Sequence, residues 1–265
     1  LPAPNMHSII EYSHRLVTGA AAILVAWMAV WALRTYGWRL EVRVAMWSSI
    51  ALLILQSALG AAAVLWPQPD LVMALHFGIS LSAFAAVLIP TAVLLEMRRG
   101  TSYRNRPLSP VLRRGIWAST LYTYIVVYSG AYVRHTNSHM ACLDWPLCNG
   151  ALIPPLEGAV GIQFAHRLAA GLAVFIVGWV LWRAAKERET RPDIYKGALA
   201  SFALLIAQVL GGGFVILSRL TITSMMLHSI IVTLLFGAQS LLCLQSLREP
   251  KEALAPGRAE RAVAT

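Results

Sequence analysis

Seven stretches of this 265-residue chain are apolar for long enough to cross a bilayer, and that constrains the fold more than any other feature. They run over 8 to 33, 44 to 66, 71 to 95, 111 to 133, 158 to 182, 197 to 217 and 221 to 247, each ended by charge, proline or glycine. Hydrocarbon offers the backbone no hydrogen-bond partner, so such stretches fold as helices. The fold class read from sequence is therefore all-α, a polytopic membrane protein. Composition agrees, since 58% hydrophobic and 13% charged residues leave too little polar surface to clothe a soluble domain.

A net charge of +10 would point to nucleic acid in a soluble protein, but its placement points to a bilayer instead. All the Lys and Arg except Arg15, Arg134, Arg167 and Arg219 lie in the connections 34 to 43, 96 to 114 and 183 to 196 or in the tail from 248. The positive-inside rule makes that side cytoplasmic and puts the N-terminus and the loop 134 to 157 outside. Leu1 to Asn5 lack a basic n-region, so no cleavable leader is expected. The tail from Ala253, rich in Ala, Arg and Glu, reads as disordered.

An internal repeat organises the rest. Ile10-Glu11-Tyr12-Ser13-His14-Arg15-Leu16, followed by Gly19 and Trp27, returns as Ile162-Gln163-Phe164-Ala165-His166-Arg167-Leu168, followed by Gly171 and Trp179. Gln56, Gly60 and His76 return as Gln208, Gly212 and His228 at the same offset of 152. The stretch at 111 to 133 and the loop with Cys142 and Cys148 have no earlier mate. The repeat thus predicts a parent protein with one further N-terminal helix and outer loop, and two four-helix bundles related by a pseudo-twofold along the membrane normal. In this chain the halves are 1–100, with three helices, and 101–247, with four, followed by a cytoplasmic tail at 248–265.

Four histidines, His14, His76, His166 and His228, lie inside spans at matched depth, roughly 8 to 12 Å from the outer end at 1.5 Å per residue. Ionisable groups in a membrane are costly and mark function. Paired imidazoles on facing helices suit axial ligation of haem, His14 with His76 and His166 with His228. Zinc would need further ligands that neither half supplies.

The halves differ at one chemically decisive place: Glu11 precedes His14 by three residues, one helical turn, whereas its mate Gln163 is neutral. A carboxylate can accept a proton or stabilise a cation where an amide cannot, so the first half reads as reactive and the second as holding a bound cofactor. Arg15, Arg134 and Arg167 are candidates for haem propionates, with His135 beside them, although arginines at this depth also snorkel to lipid headgroups. An oxidising compartment and short spacing favour a disulfide between Cys142 and Cys148 over a catalytic thiol pair. Cys243 reads as inert packing. Gln56 and Gln208 read as hydrogen bonds between helices, and Gly60 and Gly211 to Gly213 as close-packing positions.

At Glu11 to Arg15, Leu75-His76-Phe77-Gly78, Gly130 to Arg134, Cys142 to Cys148 with Trp145-Pro146, His166-Arg167 and Leu227-His228-Ser229, the sequence resembles the haem A synthase family. The match runs from residue 8 to about 247. The resemblance implies an eight-helix enzyme of bacterial plasma membranes and the mitochondrial inner membrane that oxidises the C8 methyl of haem O to a formyl group, making haem A for terminal oxidases. It implies that His166 and His228 ligate a haem b cofactor, that His14 and His76 hold the substrate haem, that Glu11 is catalytic, and that Cys142 and Cys148 form a disulfide. It also implies association with haem O synthase and an electron acceptor. The competing classes are a bis-histidine b-type cytochrome for electron transfer and a haem carrier. Four histidines near one face argue against a transmembrane relay, and a carrier would have no use for Glu11.

Overall fold

The computed structural model describes residues 6–66, 69–100 and 102–249, with side chains from Ser8 onward. The end of the tail, 250–265, lies outside the described residues. Among those residues the elements are α1 (Met6–Tyr36), α2 (Leu40–Leu65), α3 (Asp70–Arg99), α4 (Pro110–His135), α5 (Gly158–Lys186), α6 (Pro192–Leu217) and α7 (Ile222–Ser246). A 3₁₀ turn at Ser138–Met140 lies in the long connection between α4 and α5.

Local chemistry sets the helix ends. Ser109 caps α4 by accepting from the Leu112 amide, with Pro110 in the first turn, and Thr221 caps α7 through the Ser224 amide. Gly100 ends α3 at φ 62°, a left-handed conformation that costs glycine nothing. Helices α2 and α6 begin at Leu40 and Pro192, earlier than the apolar stretches predict. Their first turns are charged but folded into the bundle, because Arg39 and Arg191 just before them are buried.

Among the described residues six helices, all but α4, are long and apolar enough to cross a membrane. The sequence expectation of seven apolar spans differs at α4, whose polar side chains lower its hydropathy. They turn toward other helices: the Tyr122 hydroxyl donates to the Ala169 carbonyl at 3.1 Å, that of Tyr124 to the Gly78 carbonyl at 3.0 Å, and Gln239 Nε2 to Thr123 Oγ1 at 3.1 Å. Helix α4 packs against α3, α5 and α7, which explains how it carries so much polarity.

Helices α4, α5, α6 and α7 pack in sequence and α7 returns to α4, which closes a ring of four. Helices α1, α2 and α3 form an arc in which α1 packs chiefly on α2. The arc meets the ring where α3 lies against α4 and α7. There Gly78 admits the Tyr128 ring, for a Cβ on Gly78 would fall 2.2 Å from it. Tyr124 stacks on Phe236 of α7, with ring centroids 5.2 Å apart.

Two clusters of buried apolar side chains sit at the end that carries the basic connections. One cluster joins Leu112, Ile116, Val180, Ala184, Ile194 and Leu242 in the ring. Another joins Ala29, Ala32, Val42, Met46 and Val93 of the arc with Leu244 of α7. Two buried arginines tie these clusters to the end of α7. Arg104 pairs with Glu41 and Glu96 and donates to the Leu247 and Arg248 carbonyls. Arg191, only 1% exposed, pairs with Asp193 at 2.7 Å and donates to the Gln245 carbonyl at 2.6 Å.

Arg39 with Glu41 and Arg191 with Asp193 stand at the same offset of 152 as the histidines, so the repeat extends to this buried end. Removing one partner of a buried pair strands the other charge. Arg191→Ala is expected to lower stability by about 3 kcal/mol, read as a fall in the melting temperature of the purified protein.

Candidate functional site

At the opposite end the four-helix ring is hollow. Its cavity, about 350 Å³, is walled by apolar side chains such as Val127, Ala173 and Val232 and holds His166 of α5 and His228 of α7. The two imidazoles are within electrostatic range of one another. At its rim stand Arg134, His135, His139 and Arg167, so the polar groups gather at one mouth.

His166 is held from behind. Ser129 Oγ donates to the Val126 carbonyl at 2.7 Å, which leaves its lone pairs to accept from His166 Nδ1 at 2.8 Å. The proton therefore sits on Nδ1, and Nε2 keeps its lone pair. Gly130, one residue on, makes room for the ring, since a Cβ there would stand 2.9 Å from His166 Cε1. On the other wall, Gln208 Nε2 lies 3.0 Å from His228 Nε2, while His228 Nδ1 is buried without a partner. Cβ atoms on Gly211 and Gly212 would each come within 3.4 Å of the same ring, so these glycines are packed on the imidazole. The donor set of two imidazoles in an apolar chamber fits an iron porphyrin. Among the described residues no three His, Cys, Asp or Glu side chains gather where a bare metal ion could be held.

The loop between α4 and α5 covers this mouth. Cys142 and Cys148 form a disulfide and are both buried. Gln163, 3% exposed, latches the loop from α5: its Oε1 accepts from the Cys142 amide at 2.6 Å and its Nε2 donates to the His139 carbonyl at 2.9 Å. Both ends of the amide are used, and a carboxylate could not make the second bond. Arg167 donates to the Leu147 carbonyl at 2.5 Å and to that of Cys142 at 3.3 Å. Trp145 packs on α6, where a Cβ on Gly213 would meet its ring at 2.7 Å. Burial, and after it the nearby Arg134, hold the His139 imidazole below its ordinary range.

The first half is more open. His76 is half-buried, faces His14 and His135 within electrostatic range, and has its Nε2 3.2 Å from Gln56 Nε2. His14 lies on an exposed face of α1. Glu11, one turn earlier, pairs with Arg15 at 2.5 Å, so both charges that the sequence singled out here meet each other. Cys243 is buried and lies 3.3 Å from Thr120 Oγ1, away from the histidines.

Sequence reasoning missed Ser129, the latch made by Gln163, and Trp145 as a cover. Gly130 and Trp145 carried a signal in their motifs, and Gln208 and Gln163 in the repeat, but not the contacts they make; Ser129 carried none.

The Asp144 carboxylate organises the turn of the loop, accepting from the Gly150 amide at 2.7 Å and the Asn149 amide at 2.5 Å. The Gly150 amide, more than any other group, holds its pKa below the ordinary carboxylate value. A depressed pKa contributes stability that is present above the unfolded value and lost as pH falls through the folded one. Amide hydrogen exchange at Asn149 and Gly150 should therefore stay protected at neutral pH and lose protection once pH drops below about 4. Asp144→Ala should abolish the protection at every pH.

The sequence pattern of the family described as "Cytochrome oxidase assembly protein" matches residues 4–240. A chain from Symbiobacterium thermophilum called "Heme A synthase" is 42% identical over 259 residues, which cover 96% of this chain and 84% of that one. Chains of the same name from Geobacillus kaustophilus and Lysinibacillus sphaericus are each 40% identical, over 97% and 89% of this chain and 82% and 76% of their own length.

Proposed function

The chain belongs to the cytochrome oxidase assembly protein family, among the haem A synthases, and on that premise we propose how its two halves make haem A. It is a multi-pass membrane enzyme of haem A biosynthesis, and haem O is its substrate. The reaction is oxidation of the C8 methyl of haem O to a formyl group. The observation that carries the division of labour is the apolar cavity with two imidazoles on facing helices in one half, set against a carboxylate one turn from a histidine in the other.

His166 and His228 would hold a haem b cofactor in this cavity. Ser129 presents Nε2 of His166, and Gly130 and Gly212 keep the space beside the rings clear. When bound there, haem b supplies one-electron redox chemistry. Arg134 and Arg167 stand at the rim, where propionates of an inserted haem would emerge. The latched loop and Trp145 exclude water from the chamber.

His14 and His76 hold the substrate haem in the half formed by residues 1–100. Each round takes two electrons, which pass to an external electron acceptor, and two protons from the C8 substituent, and adds the elements of water. The methyl becomes an alcohol and then an aldehyde hydrate, which loses water to give the formyl group. Glu11 takes a proton released at that carbon and stabilises the electron-deficient centre. Arg15 orients the Glu11 carboxylate and faces a propionate of the substrate. The basic connections set the orientation, with the disulfide loop outside and the C-terminus in the cytoplasm.

Haems extracted from the purified protein, supplied with haem O in cells lacking haem A, test this reading. Glu11→Ala is expected to retain haem b and to lose haem A about 100-fold or more, whereas His228→Ala and Gly130→Val lose haem b itself. Normal haem A from Glu11→Ala would overturn the role of Glu11.

A further inference from the structure

The two glutamines of the repeat do the same thing in both halves. Gln208 Nε2 meets His228 Nε2 at 3.0 Å and Gln56 Nε2 meets His76 Nε2 at 3.2 Å. At Gln56 the amide assignment is fixed by its neighbour: Ser80 Oγ donates to the His76 carbonyl at 3.0 Å, so Ser80 accepts from Gln56, whose NH₂ is the group turned to the histidine. A donor there requires the imidazole Nε2 to be the acceptor, which leaves the proton on Nδ1. In both histidines that Nδ1 is buried and unpartnered, and both glutamine Oε1 atoms are buried and unpartnered as well.

We propose that Gln208 and Gln56 are placeholders, which hold the ligating nitrogen of the second histidine in each half before haem arrives and release it on ligation. The idea rests on the ligand assignment above. The Gln56 amide selects the tautomer and rotamer in which Nε2 offers its lone pair, the form that an iron centre needs, and Gln208, its repeat mate 3.0 Å from His228 Nε2, is assigned the same orientation as part of the proposal. When that lone pair passes to iron, the amide N–H must leave. Gln208 lines the cavity and so has space to turn, and its unpartnered Oε1 means that little is lost when it does. His166 is oriented by a different device. Ser129 bonds its Nδ1, the nitrogen that stays free of iron, and so persists in the bound state. One ligand of the cofactor site is thus anchored permanently and the other is kept ready. In the substrate site, where haem must enter and leave, the same placeholder would re-form after each turnover.

The test is the rate at which full-length apoprotein, made in haem-depleted cells and held in nanodiscs, takes up hemin to give a low-spin bis-imidazole spectrum. Gln208→Leu is expected to slow that uptake about tenfold, because a smaller fraction of His228 is in the competent state. The final spectrum and midpoint potential should match the wild type, since the glutamine no longer touches the histidine once iron is bound. Gln208→Met, with similar volume and no donor, should behave alike and guards against a folding defect in the first variant. Ser129→Ala should instead shift the midpoint potential. Unchanged uptake in both glutamine variants, or an altered final spectrum in either, would overturn the placeholder alone. A bis-imidazole spectrum that His228→Ala leaves unchanged would overturn the ligand assignment itself.

Discussion

Hydrocarbon cannot solvate a polar group, and the organisation of this bundle follows from where its polar side chains find partners. Helix α4 shows the rule plainly: Tyr122 and Tyr124 donate to carbonyls of α5 and α3, Thr123 accepts from Gln239 of α7, and Ser119 and Thr120 turn back to the Ile116 carbonyl of their own helix. Those bonds tie the arc of α1 to α3 to the ring of α4 to α7. At the basic end the same requirement is met by guanidinium groups, with Arg104 and Arg191 each collecting carboxylates and terminal carbonyls. At the other end it is met by amides and a hydroxyl around the histidines.

Duplication placed similar groups in both halves, and divergence gave them different work. The offset of 152 relates Gln56 and His76 to Gln208 and His228, and their contacts repeat almost atom for atom. It also relates Glu11 to Gln163, where the contacts do not repeat at all. Gln163 is buried and spends both ends of its amide on the disulfide loop, whereas Glu11 is partly exposed and meets Arg15. The neutral residue is therefore a structural necessity where it stands. The charged one is free of that duty.

Much of this was legible in the sequence. Apolar runs locate the helices, and the repeat selects the four histidines from the seven present. The closeness of Cys142 and Cys148 suggests the bond that joins them. What escaped was interaction with a target far away in the chain. Ser129 is one polar residue among many on α4, and nothing in its neighbourhood announces a partner at His166. Hydropathy likewise stops short of the first turns of α2 and α6, because a scale that penalises arginine cannot register that Arg39 and Arg191 are paired and buried. Gln163 was read for what it lacks as an acid, although its role depends on having a donor and an acceptor on one side chain.

The uneven filling of the ring has a consequence for traffic. Below His166 the helix α5 continues for twenty residues to Lys186, on the order of 30 Å at 1.5 Å per residue, past the interlocked side chains of Ile116, Val180 and Ile194. The bundle is a vessel with a solid base. The buried cluster of Ile116, Val180 and Ile194 fills the ring at its basic end, so the cavity that holds His166 and His228 can open only toward the disulfide loop or sideways between the helices.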